Sequence, residues 1–232
     1  MKAPQVLQVL LRPEGLMTRL ARTTMLTACF ALLFGAATIC LSFENVSANG
    51  GSEGRVLIDR IVTYLMGKHV DMKKDKLKAV VRLVCEESQQ RDLDYRLALA
   101  VIKVESNFKP DVVTKKGASG LFQIVPSTGR HIAKDAGVKW DGARCLRKPD
   151  NNIKLGVYHL SKLVEDFKSL PTALHAYNVG TDRVKSLAPE EDEQETPFAG
   201  RVLREYERNC SRLPDWDERD EAPEVEETSP AP

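Results

Sequence analysis

The sequence predicts a mostly helical α+β domain with one small β-hairpin. Two observations carry that reading. Apolar residues recur at helical spacing in most segments between Arg55 and Leu213. One short stretch departs from that pattern: β-branched Val112-Val113-Thr114, a Lys115-Lys116-Gly117 turn, then extended, mostly apolar Gly120 to Val125 closed by Pro126. A third observation says where chemistry would sit. The nearly all-apolar run Leu97 to Val104 ends on an acid, Glu105.

Taken in order, the elements are these. Residues Met25 to Phe43 are apolar apart from Thr and Ser, and Arg12, Arg19 and Arg22 precede them. That is the pattern of an export signal, and Val46-Ser47-Ala48 offers small residues for cleavage after Ala48. At roughly 19 residues the stretch also suffices to span a bilayer as an uncleaved anchor. Residues 1–48 are therefore a signal peptide or anchor, and 49–76 a linker and first helix, with Ile58, Ile61, Val62 and Leu65 on one face of Arg55 to Met66. The main domain spans 77–213. Lys73 to Gln90 makes an amphipathic helix leading into it, basic at its start against the helix dipole, so packing must hold it.

Asp94 is placed to cap the helix that carries Glu105. On a wheel of about 100° per residue, Arg96 and Lys103 share one face, expected to be solvated. Glu105 falls about 180° from Arg96, on the side of Ala98 and Val101. It also ends the helix, where the macrodipole disfavours negative charge. Both effects favour a protonated carboxyl, the form a general acid needs. Pro110 stops the helix. After the hairpin, Ser127 to Ala136 forms a helix ended by Gly137. Asn152 to Phe167 forms another, with Ile153, Leu155, Val157, Leu160, Leu163 and Val164 as its apolar surface. Pro189 to Glu195 is an acidic loop, and Pro197 to Leu213 a closing helix. Residues 214–232 are acidic and proline-bearing, the composition of a disordered tail.

Charge is nearly balanced, with 34 Lys and Arg against 33 Asp and Glu. A nucleic-acid partner is not expected without a denser basic patch. No Cys or His cluster has metal-ligand spacing and no phosphate loop is present, so no metal or cofactor is expected. Once residues 1–48 are removed, Cys85, Cys145 and Cys210 remain. Cys85 falls on an apolar helix face, which leaves a Cys145–Cys210 bridge as the expected pairing in an oxidising compartment.

The segment around Glu105 resembles a known family. Glu105-Ser106-x-Phe108-x-Pro110, then Thr114, then Gly117-Ala118-x-Gly120-Leu121-x-Gln123, looks like the signature of the soluble lytic transglycosylases, which share the goose-type lysozyme fold. Ala176-Tyr177-Asn178-Val179-Gly180 resembles a second block of that family. Asn152-Ile153-x-x-Gly156-x-x-x-Leu160 matches the helix between them, and Glu195-Thr196-x-Phe198 with Val202-Leu203 matches the closing helix. The likeness covers about residues 77–209. Where the family usually has Ser and Met this chain has Thr114 and Phe122, the latter expected to reshape a sugar subsite. It also has His175 where Ala is more frequent.

The resemblance implies a lysozyme-like domain that cleaves the β-1,4 bond between N-acetylmuramic acid and N-acetylglucosamine in peptidoglycan, leaving a 1,6-anhydro end. Glu105 would be the catalytic acid, then base. Ser106, Thr114, Gln123, Tyr177 and Asn178 would orient it or hold sugar substituents. Ser106 and Asn178 also suit helix caps, and Tyr177 a core position, so those readings stand beside the functional ones. Most glycosidases need a second carboxylate. An internal nucleophile removes that need, and the matched blocks offer none; Asp111 is expected to face solvent. The implied partner is the glycan strand, with cell-envelope machinery a further one, and a monomer in the periplasm or at the inner membrane is expected. Two alternatives remain: hydrolysis of the same bond by water, and a wall-binding or secretion-apparatus component.

Overall fold

The computed structural model describes residues 54–167, 169–187 and 196–215. The expected signal or anchor, the loop 189–195 and residues 216–232 lie outside them. No helix among the described residues is long and apolar enough to cross a membrane.

Eight α-helices and one 3-10 turn are described. Helix α1 covers residues 54–67. It is followed by α2 (Lys74–Gln89), α3 (Tyr95–Ser106), α4 (Pro126–Ile132), the 3-10 turn Ala143–Arg147, α5 (Pro149–Asp166), α6 (Leu170–Val179), α7 (Thr181–Lys185) and α8 (Pro197–Cys210). Their starts follow local chemistry. Asp94, Ser169 and Thr196 cap α3, α6 and α8 by accepting from backbone N–H groups of the first turn. Proline opens α4, α5, α6 and α8, where a missing N–H costs nothing.

Helix α3 is the centre of the molecule. Leu97 to Ile102 are all buried. Helix α8 packs along it, α2 lies beside it, and α5 bridges α2 and α6. Helix α1 belongs to the same core through Ile61, Val62 and Leu65.

The face expected to be solvated is not. Arg96 is buried, its guanidinium bonding Asp94 and, 119 residues on, Asp215 at 2.7 Å. Tyr206 of α8 donates to Asp94, and Asn209 donates to the Arg96 carbonyl. Lys103 is also drawn in, donating to Asn107 Oδ1 and to the Lys68 carbonyl at the end of α1. Helices α1 and α8 cover this side, so the two cations are ion-paired or hydrogen-bonded inside a shell instead of hydrated. Tyr95 donates to the Pro214 carbonyl at 2.6 Å, so residues 214 and 215 are tied to α3.

The expected hairpin does not form strands. Among the described residues only isolated bridges occur, Val113 with Ser119 and Ser119 with Ile124. The reason is curvature. Gly117 and Gly120 take φ of 81° and 80°, and Gln123 takes 48°. Three left-handed residues in seven coil the segment into turns before a ladder can extend. The bridge Cys145–Cys210 is likewise absent: both are free thiols, Cys145 buried within the 3-10 turn and Cys210 exposed at the end of α8.

Candidate active site

The turn Gly120–Gln123 is fastened from four sides. Asn152, wholly buried on α5, accepts from the Phe122 N–H at 2.8 Å and donates to the Ser119 and Leu146 carbonyls, each at 2.9 Å. Ser106, at the end of α3, donates to the Leu121 carbonyl at 2.8 Å. Tyr177 of α6 donates to the Phe122 carbonyl at 2.6 Å. Gln123 Nε2 donates back to the Gly120 and Val112 carbonyls. A side chain on Gly120 would collide with the Asn152 amide and the Leu146 carbonyl, so only glycine fits. Phe122 is fully buried against Gly156 of α5 and does not line the groove beside the turn, so the expectation that it shapes a binding surface there has no support in its position.

Beside this turn runs a groove of about 1070 Å³, walled by α4, the ends of α5 and α6, and α7. Glu105, Thr114, Gln123, Tyr177 and Asn178 all line it. Ser106 does not; it is buried behind the wall. Of the six residues singled out from the sequence, five therefore share one cleft, and Ser106 contributes to the scaffold under it. Two of the five also have structural duties. Tyr177 commits its proton to Phe122, and Gln123 commits its NH2 while its Oε1 is buried without a partner. Asn178 and Thr114 are exposed to the groove, and neither side chain caps a helix.

Glu105 is half-buried at the last turn of α3. Burial pushes its carboxyl up from 4.5 to about 7, and the charge of Arg201 on α8 partly opposes this. No neighbouring carboxylate contributes to that shift. Asp166 and Asp182 line the groove too, but neither is among the charges acting on Glu105. The site thus contains one acid that exchanges its proton near neutrality. The phenol of Tyr177 is raised well above 10 by burial and then by Glu105, so it stays protonated. The backbone around the acid is held in uncommon geometry. Asn107 and Phe108 have φ of 50° and 64°, turning the chain sharply after Glu105.

Three residues were missed from sequence. Asn152 reads there as a helix position and is the main clamp of the turn. Arg201 carries no reading there beyond its place in the closing helix. His159 lines the groove with Lys162, Leu163 and Asp166. That spacing of three, four and seven is one face of α5, interrupting its apolar stripe with polar groups. The interruption was the available signal.

A family model for the transglycosylase SLT domain matches residues 82–197. The chain is 32% identical over 163 residues to membrane-bound lytic murein transglycosylase C of Sodalis glossinidius, covering 66% of this chain and 40% of that protein. It is 34% identical over 98 residues to the soluble lytic murein transglycosylase of Salmonella typhimurium, covering 41% of this chain and 15% of that one. The matched part is thus well under half the length of either relative. A solved lytic transglycosylase Slt of Pseudomonas aeruginosa aligns over 59% of this chain and 25% of its own, at 25% identity and a TM-score of 0.46. Because the matched domain takes in half of this sequence, including Glu105, the clamped turn and α6, the chain belongs to the transglycosylase SLT domain family.

Proposed function

We propose that this protein is a peptidoglycan lytic transglycosylase, cleaving the β-1,4 bond after N-acetylmuramic acid and leaving a 1,6-anhydro end. The observation that carries this is the electrostatic isolation of Glu105: its carboxyl is raised to about 7 by burial, with no other carboxylate acting on it, in a groove large enough for several sugars. Protonated, it donates to the glycosidic oxygen as the bond breaks. As carboxylate, it then takes the proton of the muramic C6 hydroxyl, which attacks the anomeric carbon. The internal nucleophile makes a second carboxylate unnecessary. Thr114 and Asn178, both reaching the groove, hold sugar substituents. Tyr177 and Gln123 act chiefly by fixing the turn that forms the wall beside the acid, and Ser106 acts wholly so. The lysozyme-like architecture follows from the same reading. The chain is exported, with residues 1–48 as leader or anchor, and meets the wall in the periplasm.

Mass spectrometry of muropeptides released from purified sacculi tests this. Transglycosylation gives ends lighter by one water than hydrolysis does. Ends carrying that water would instead support a muramidase, and a groove that binds glycan without releasing ends would support a wall-binding component.

A further inference from the structure

His159 has no role in the chemistry above, yet it stands in the groove that contains Glu105. Its imidazole lies 5.3 Å from the ring of Tyr177, tilted by 37°. The Tyr177 ring is in turn stacked with Phe198, at 6.1 Å and 2°. The imidazole is thus braced by an aromatic pile running from α5 through α6 to α8. Its nitrogens bond no protein group among the described residues, and neither is sealed away as an orphan in the way His175 Nδ1 is. They therefore keep solvent access, in a residue that lines the cleft. Burial lowers its pKa from 6.5 to about 4, so near neutral pH the ring is uncharged and offers one donor and one acceptor.

The neighbours show why such a group matters here. Tyr177 has already given its only proton to Phe122, and Gln123 has given both of its own. The two residues closest in type to sugar-binding donors are spent on the scaffold. Lys162 on the same face is drawn to Glu165 at 2.5 Å.

We propose that His159 is a substrate-binding residue, its imidazole hydrogen-bonding a hydroxyl or acetamido group of the sugar lodged beside Glu105. This rests on the reading of the groove as a glycan cleft. It assigns no proton transfer to His159.

The test separates binding from turnover. The full chain carrying Glu105→Gln is titrated with isolated, uncrosslinked glycan strands. His159→Phe keeps the ring on Tyr177 but removes both nitrogens, and His159→Gln restores a donor and an acceptor. The expected result is a Kd about fivefold to tenfold weaker for His159→Phe, the scale of one hydrogen bond, and recovery to within about twofold for His159→Gln. Thermal unfolding of the Phe variant should match the parent. An unchanged Kd in a folded His159→Phe variant overturns the proposal, and so does a loss that His159→Gln fails to restore. A parent that binds no glycan overturns both this assignment and the cleft reading. Wild-type chain that binds but releases no anhydro ends overturns only the proposed reaction.

Discussion

Replacing Glu105 by Gln should stabilise the folded protein at alkaline pH while removing its activity. The folded pKa, about 7, lies above the ordinary value of 4.5. Between those two pH values the folded chain keeps a proton that the unfolded chain releases. Wild-type stability from this group is thus complete below pH 4.5 and is lost as pH rises to 7. At about 1.4 kcal/mol per pH unit the loss would reach ~3.4 kcal/mol. Glu105 touches the groove, so solvent screening reduces it to about 2–3 kcal/mol. Gln is uncharged at every pH and escapes the loss. His159 adds an opposite slope, destabilising the fold as pH falls from 6.5 towards 4, but it is present in both proteins and cancels in the difference. Urea unfolding of wild type and Glu105→Gln at pH 5 and pH 8 reads the effect. The gap between them should widen by about 2 kcal/mol at the higher pH. A gap that stays constant would mean that Glu105 titrates as an exposed carboxylate, and the argument for a buried general acid would fail with it.

Asn152→Ala should be the most damaging scaffold change. It strands the Phe122 N–H and two carbonyls in the interior, costing about 2–4 kcal/mol and most of the activity, read by thermal unfolding and muropeptide release. Gly156→Ala drives a methyl into the Phe122 ring, with an expected loss of about 1–3 kcal/mol. Adding Phe122→Leu should recover part of it, and strict additivity of the two changes would refute that contact. Tyr177→Phe should cost about 1 kcal/mol of stability and a larger share of turnover, because the freed Phe122 carbonyl lets the wall beside the acid shift. Equal stability and activity in that variant would show the hydroxyl to be idle.

Sequence patterns located the acid and the order of helices because both depend on local chemistry. Glu105 stands out by its angle at the end of a nearly all-apolar run, and Asp94 by its cap position. What was not legible depends on partners distant in the chain. Arg96 looked solvated because Asp215, which neutralises it, lies 119 residues away, and Asp94 beside it already had a duty as a cap. The hairpin looked extended because its residue types favour strands. Asn152, thirty residues on, holds a coiled turn in place instead. Ser106 and Gln123 looked like substrate ligands because hydroxyls and amides bind sugars, but the same groups satisfy buried carbonyls, and here that demand is nearer.

The electrostatics of the acid then leave one residue in control. Burial raises Glu105, and Arg201 alone among the charges pulls it back. Arg201 is exposed, over the Phe198 ring at 6.0 Å, and serves no clamp of the turn. Its charge favours the carboxylate, so Arg201→Gln should raise the pKa of Glu105. Bond cleavage needs the protonated form, and activity is lost as pH rises through that pKa. The alkaline limb of kcat/KM should therefore move upward, by a few tenths of a pH unit given the exposure of the guanidinium and its screening by salt. Raising ionic strength on the wild type should move the limb in the same direction and should leave the variant unaffected. A limb that moves downward in Arg201→Gln would reverse the sign assigned to that charge, and Glu105 could not then be the group whose protonation the profile reports.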